Sequence, residues 1–355
     1  MAFEDLRRGR LEVVPNYYTV DLPFYREHLK GFLPGRMIDV HSHAGPRRVW
    51  RPGDAEPTYW PGRITRGCRL TLADLLAANM LLFPGKEVIP VVLGSGTRED
   101  VDEQVAYLSG ELERYPHVYG FMRSLPDWSE GELIERYKCG RFSGLKPYLN
   151  MASPAIPAEE VTIFDFLPRH HLKVAEARGW LVMLHIPKAE RLADPVNVAQ
   201  MKEIADTFPD LKVIIAHIGR AYCPRYAEEG FAALGETAGY YHWDFSANTL
   251  QVAMEMLIEA VGPGRILYGS DLAVFAARAR RVCEGDNYVN VMREADWEDS
   301  HTRLAAPEER EGITFLLYEE IAAFKRAAER KGLTREEVED VFYNNAVRLL
   351  AGEGG

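Results

Sequence analysis

The chain has 355 residues, 47% of them hydrophobic and 27% charged, with 42 Lys+Arg against 53 Asp+Glu and a formal charge of −11. That composition is of a globular protein and not of a disordered one. The acidic balance argues against a general binder of nucleic acid or anionic membrane, both of which need basic surface.

In chain order, residues 1–35 read as an N-terminal extension punctuated by Pro15, Pro23 and Pro34. The start, MAFEDLRRGR, lacks the apolar stretch of a secretory signal. From Met37 short β-rich runs alternate with segments of helical period. Strands are predicted at 37–40, 88–93, 118–122, 144–148, 181–185, 213–217, 240–245 and 266–269. Helices are predicted at 71–83, 98–115, 132–138, 166–178, 196–208 and 250–261. Runs such as VIPVVL and KVIIAH are apolar throughout, as strands buried on both faces are. Eight such units, with no GxGxxG after the first strand, favour a closed (β/α)8 TIM barrel over an open doubly wound sheet. Residues 36–355 are therefore read as one barrel domain. Long loops follow strand one (44–70) and strand eight (272–312), the latter charged and irregular.

Cys68, Cys139, Cys223 and Cys283 are widely spaced and form no CxxC pair, which excludes a zinc ribbon or thioredoxin-like motif. This usage, with no apolar run long enough to cross a bilayer, leads to the expectation of a soluble, cytoplasmic protein.

Four of the ten histidines fall at the C-terminal ends of predicted strands: His41 and His43, His185, and His217. Asp271 follows strand eight. Strand ends converge at the mouth of a barrel, so these five residues are predicted to share one site. Imidazoles with a carboxylate suit a divalent transition metal. On a strand, residues two apart share a face, so His41 and His43 can chelate together. The alternative for each histidine alone is a satisfied buried imidazole, and for Asp271 a helix N-cap.

The segments MIDVHSH, GLKPY, LVMLHIP, IIAHIGR, ILYGSD and VFYNNAVRLL together resemble the amidohydrolase superfamily, and within it the amidohydrolase-2 branch that includes aminocarboxymuconate-semialdehyde decarboxylase-like enzymes. The resemblance implies a metal-dependent barrel enzyme, with His41, His43, His185 and Asp271 holding the metal. It implies Asp271 as general base and His217 as catalytic histidine or second-site ligand. The expected reaction is hydrolysis of an amide, lactone or ester of a small carboxylated substrate. The alternative is a lyase that decarboxylates or hydrates an aromatic or unsaturated acid. Zinc is the expected ion, manganese the alternative. One ion is expected, or two if Lys146 of GLKPY is a carboxylated bridge; the other readings of Lys146 are a cation for a substrate carboxylate and a structural ion pair.

The loop 44–70 carries Arg47, Arg48, Arg51, Arg63, Arg66 and Arg69 with Trp50, Tyr59 and Trp60, against only Asp54 and Glu56. Guanidinium groups with aromatics over a mouth suit a planar or carboxylated ligand. Arg47, Arg48 and Arg123 are thus substrate-binding candidates, with a solvated loop or a dimer contact as the alternative. Tyr148, Tyr222, Asn248 and His301 are further polar candidates. A small anionic substrate and a homodimer are expected.

Overall fold

The computed structural model describes residues 17–48, 60–65, 69–94, 96–272, 274, 277–295 and 297–351. Eight parallel strands lie in sequential order: β1 (Arg36–His43), β2 (Glu87–Leu93), β3 (Tyr119–Met122), β4 (Gly144–Leu145), β5 (Leu181–Leu184), β6 (Val213–Ile215), β7 (His242–Asp244) and β8 (Ile266–Leu267). The ring closes where the Val40 amide donates to the Tyr268 carbonyl and Ser42 bridges to Leu272. Between strands run α1 (Leu72–Leu82), α2 (Val101–Arg114), α3 (Glu130–Lys138), α4 (Arg169–Ala177), α5 (Pro195–Thr207), α6 (Pro224–Leu234) and α7 (Gln251–Val261). This is the (β/α)8 barrel expected from the sequence. Local signals explain several starts: Thr71 and Asp74 form a reciprocal capping box on α1, Ser129 and Glu132 do so on α3, and Asp194 caps α5 with Pro195 at its first position.

The barrel interior is filled by Ile38, Val40, Ile89, Val91, Leu93, Phe121, Leu181, Met183, Ile214 and Leu267, with Ala346 and Leu349 of the last helix packed on the same cluster. A much larger apolar layer joins the outer strand faces to the helices. Alternation that sends Ile38 and Val40 inward would turn His41 and His43 away from the interior. A register shift between Asp39 and Ser42 intervenes in β1, and it re-aims both histidines.

The helical segment 17–29 packs on the barrel. Tyr17 donates to the Leu81 carbonyl, Tyr25 donates to that of Pro84, and buried Asp21 pairs with Arg278 and accepts from Thr314. Residues 1–16 lie outside the described residues.

Residues 272–312 are not irregular, as expected, but carry a small sheet: β9 (Ala279–Glu284) and β10 (Asn287–Met292) form an antiparallel hairpin, with β11 (Thr302–Leu304) parallel to β10. Its turn, Gly285-Asp286, has Gly285 at φ 65°, the left-handed conformation a two-residue hairpin loop requires. After it comes α8 (Leu316–Lys331). Cys223 and Cys283 form a disulfide that ties this sheet to the start of α6. The pairing runs against the reducing compartment expected from cysteine usage. Among the described residues no helix is long and apolar enough to cross a membrane.

Candidate metal centre and active site

At the C-terminal end of the barrel the strand ends bring His41, His43, His185, His217 and Asp271 together. Two sets have ligand atoms within 4.8 Å of one another: His41, His185 and His217, and His41, His43 and Asp271. His217 thus stands at ligand distance from His185, their Nε2 atoms 3.0 Å apart. His43 Nε2 lies 2.9 Å and His41 Nε2 3.8 Å from Asp271 Oδ1.

The exits from β6, β7 and β8 share an uncommon backbone. His217, Ile218, Gly219 and Arg220 are all left-handed, at φ 60°, 51°, 59° and 59°, and so are Ala247 (61°) and Asp271 (49°). Residues with a Cβ are disfavoured there, a β-branched isoleucine most of all, and such strain persists only where surrounding structure enforces it. Here it does: the His217 amide donates to Asp244 Oδ1 (2.9 Å), that of Ala247 to Glu320 Oε2 (2.9 Å) and that of Asp271 to the His41 carbonyl (2.7 Å). A Cβ on Gly219 would meet Leu192 at 2.7 Å.

Hydrogen bonds also select tautomers. Asp244 Oδ2 accepts from His41 Nδ1 (2.9 Å), which leaves the His41 Nε2 lone pair facing the site without a partner. Ser246 Oγ donates to Asp244 Oδ1 and accepts from His217 Nδ1 (2.8 Å), so His217 Nε2 is likewise a lone pair. Burial, chiefly, keeps the imidazoles neutral: His41 and His185 lie well below the usual value, and His217 falls to about 3. Burial raises the Asp271 carboxyl, but the hydrogen bond from His43 and the other imidazoles outweigh it and hold the group at about 2.

Neutral imidazole nitrogens with free lone pairs and an ionised carboxylate are a metal-binding set. Cis ligands at bond lengths of about 2.0–2.1 Å are separated by roughly 2.9–3.4 Å, which spans the His185–His217 and His43–Asp271 separations. His41 and His217 held by hydrogen bonds behind them, with the His41 Nε2 orphaned, fit a divalent cation.

The site opens into a cavity of about 670 Å³. Its lining includes four arginines, Arg48, Arg69, Arg220 and Arg281, but Asp271 is its only carboxylate among the described residues. Trp60, Tyr148, Tyr222 and Tyr288 add aromatic surface. Arg281 lies 4.1 Å from the Tyr222 ring centre and 5.2 Å from that of Tyr288, while Tyr222 and Tyr288 are 5.1 Å apart. Arg220 donates to the Ile186 carbonyl.

Other sequence candidates lie elsewhere. Arg47 does not line the cavity; it pairs with Asp74 in the α1 capping box. Arg123 is buried beneath the lining and donates to Asp100 (2.9 Å) and the Thr97 carbonyl (2.8 Å). Asp100 also pairs with Arg69, so two guanidinium groups share one carboxylate beside the cavity. Arg63 pairs with Asp299; Arg51, Arg66, Trp50 and Tyr59 lie outside the described residues. Asn248 makes loop hydrogen bonds to Ala221 and Leu250, and His301 stacks on Tyr288. Lys146 is fully buried with no hydrogen bond or ion pair at Nζ, 5.3 Å from the Tyr148 ring centre, and burial lowers it to about 7 against the pull of Asp244 and Asp271. It does not line the cavity.

Sequence reasoning missed Asp244, Ser246, Arg220, Arg281 and Tyr288. The signal for Asp244 was present: a carboxylate inside an otherwise apolar strand demands partners. That for Arg281 and Tyr288 was a Gly-Asp pair between two β-rich runs.

The sequence model of the amidohydrolase family, of the amidohydrolase-2 branch, matches residues 38–351. The chain belongs to the amidohydrolase family. Among curated protein sequences nothing matches it significantly. Solved structures with the same fold include a 2,6-dihydroxybenzoate decarboxylase complexed with 2,6-dihydroxybenzoate (15% identity, 90% of this chain and 100% of that one, TM-score 0.52). They also include a probable 2-pyrone-4,6-dicarboxylic acid hydrolase from Acinetobacter baumannii with citric acid bound (16% identity, 89% and 99%, TM-score 0.50). A third is a 4-oxalomesaconate hydratase from Rhodopseudomonas palustris (16% identity, 89% and 95%, TM-score 0.50). The fold therefore hosts hydrolysis, decarboxylation and hydration. This amidohydrolase is an enzyme whose His/Asp cluster is able to bind a metal.

Proposed function

We propose that this amidohydrolase is a zinc-dependent hydrolase of small carboxylated substrates. The observation that carries the reading is the Asp271 carboxylate, set among imidazoles in a cavity whose lining includes four arginines and, among the described residues, no other carboxylate. A zinc ion bound there would supply a water of lowered pKa and polarisation of a carbonyl oxygen. His41, His43, His185 and Asp271 would hold it. His217, whose Nδ1–H is committed to Ser246, offers the site a lone pair and not a proton. Asp271 would also accept the proton of the attacking water as general base. Arg48, Arg69, Arg220 and Arg281 hold the substrate carboxylate, and Tyr222 and Tyr288 give a face on which a planar substrate stacks. Lys146, buried beside Tyr148 and lowered to about 7, would carry only part of a positive charge behind the site near neutral pH.

The test is elemental analysis of the purified protein with and without chelation, followed by turnover of lactones, esters and amides of carboxylic acids. About one zinc per chain and chelator-sensitive hydrolysis, lost in Asp271→Asn, are expected. Two ions per chain would reinstate Lys146 as a carboxylated bridge, and manganese would replace the zinc assignment. Carbon dioxide release from aromatic or unsaturated acids without hydrolysis would replace the hydrolase reading by the lyase.

A further inference from the structure

Ala247 joins two parts of the cavity wall. One residue before it, Ser246 presents Oγ and its carbonyl to His217 Nδ1, at 2.8 and 3.3 Å. The Ala247 carbonyl itself accepts from the Arg281 guanidinium, and Ala247 lines the cavity. Its backbone is left-handed at φ 61°, where a residue with a Cβ is penalised. The one group that satisfies its amide is Glu320 of α8, fully buried, whose Oε2 accepts from it at 2.9 Å.

We propose that Glu320 is a positioning residue: it holds Ala247 left-handed, and through Ala247 it aims both His217 and Arg281. Glu320 touches neither substrate nor metal. With its acceptor gone, the buried Ala247 amide is orphaned and the backbone relaxes to a negative φ. Ser246 then turns from His217 Nδ1, whose proton redistributes to Nε2, the atom that faces the site. The Ala247 carbonyl meanwhile turns from Arg281. The part played by His217 rests on the metal reading above, but its tautomer does not.

Two measurements separate these layers. In metal-free protein labelled with 15N-histidine, the ring shifts of His217 report where its proton sits. Wild type and Glu320→Gln, which keeps an acceptor, are expected in the Nδ1–H form; Glu320→Met, which fills the volume without one, is expected to shift towards Nε2–H. In zinc competition with a chelator, Glu320→Met is expected to bind about 10- to 100-fold more weakly, the range for changes in the groups around the ligands, because a proton on His217 Nε2 then crowds the ligand atom His185 Nε2, 3.0 Å away. The decisive variant adds Ala247→Gly. Glycine adopts φ near 60° without penalty, so Glu320→Met/Ala247→Gly is expected to regain the Nδ1–H form and most of the zinc affinity. A packing role for Glu320 would gain nothing from that glycine. Failure of rescue, an unchanged tautomer in Glu320→Met, or failure of both Met variants to fold would overturn the proposal. A wild type that binds no zinc would overturn the metal reading alone.

Discussion

Asp244→Asn replaces one oxygen of a buried carboxylate by an NH2 group, and the structure dictates which one. Oδ1 accepts three hydrogen bonds, from the amides of His217 (2.9 Å) and Ser246 (3.0 Å) and from Ser246 Oγ. Oδ2 accepts one, from His41 Nδ1 at 2.9 Å. The carboxamide oxygen must stay with the three donors, so the NH2 faces His41. Either His41 keeps its Nδ1 proton and meets a donor head-on, or the proton moves to Nε2 and occupies the lone pair that faces the site. Hydrogen bonds to charged groups contribute about 1.5–3 kcal/mol, and carboxylates behind ligating histidines change metal affinity by about 10- to 100-fold, or roughly 1.4–2.7 kcal/mol. The two ranges agree, and Asp244→Asn is expected to weaken metal binding by that factor. The assay is competition against a chelator of known affinity, with thermal unfolding of the metal-free proteins run alongside. Affinity within about threefold of wild type, in a protein that unfolds normally, would refute the assignment of His41 Nε2 as a ligand atom held by Asp244.

His171 is fully buried against the Trp128 carbonyl, and burial lowers it from 6.5 to about 4. The unfolded chain binds this proton below about pH 6.5 and the folded one only below about pH 4. Its contribution is therefore complete above pH 6.5, is lost as pH falls towards 4, and amounts to about 3 kcal/mol in that window. Unfolding midpoints of wild type and His171→Gln across pH 4–7 should show that difference; parallel profiles would contradict it. The Asp21–Arg278 pair is almost fully buried, and Asp21→Ala leaves an uncompensated guanidinium. It is expected to cost about 3–5 kcal/mol in chemical unfolding. A loss under about 1 kcal/mol would mean that the segment 17–29 is not anchored through this pair.

The barrel was legible because several strands are apolar on both faces and alternate with segments of helical period. The site was legible because histidines ended strands one, five and six. Its aiming was not. Strict alternation in RMIDVHSH places His41 and His43 opposite the inward-facing Ile38 and Val40, and only the register shift after Asp39 turns them to the mouth. A bulge has no residue signature in this stretch. HIGR likewise reads as the end of a strand; its four left-handed residues follow from Asp244 and Leu192, contacts across the fold. Arg47 and Arg123 failed as cavity residues for a related reason: their partners, Asp74 and Asp100, come from α1 and the loop before α2.

The polar groups at the mouth fall into an order that the net charge conceals. Asp39 accepts from the amides of His41 and Ser270, Asp244 from those of His217 and Ser246, and Glu320 from that of Ala247. All three carboxyl groups are fully buried, and none lines the cavity. They fix strand exits by accepting backbone protons, which a lysine or arginine could not do. The neutral imidazoles come next, with lone pairs directed at the site, and guanidinium groups stand on the cavity wall. A cation is thus favoured among nitrogens backed by carboxylates, and an anion beside it among arginines. An acidic chain is compatible with the anionic substrate proposed above because, Asp271 apart, these carboxyl groups are spent on the backbone and on His41.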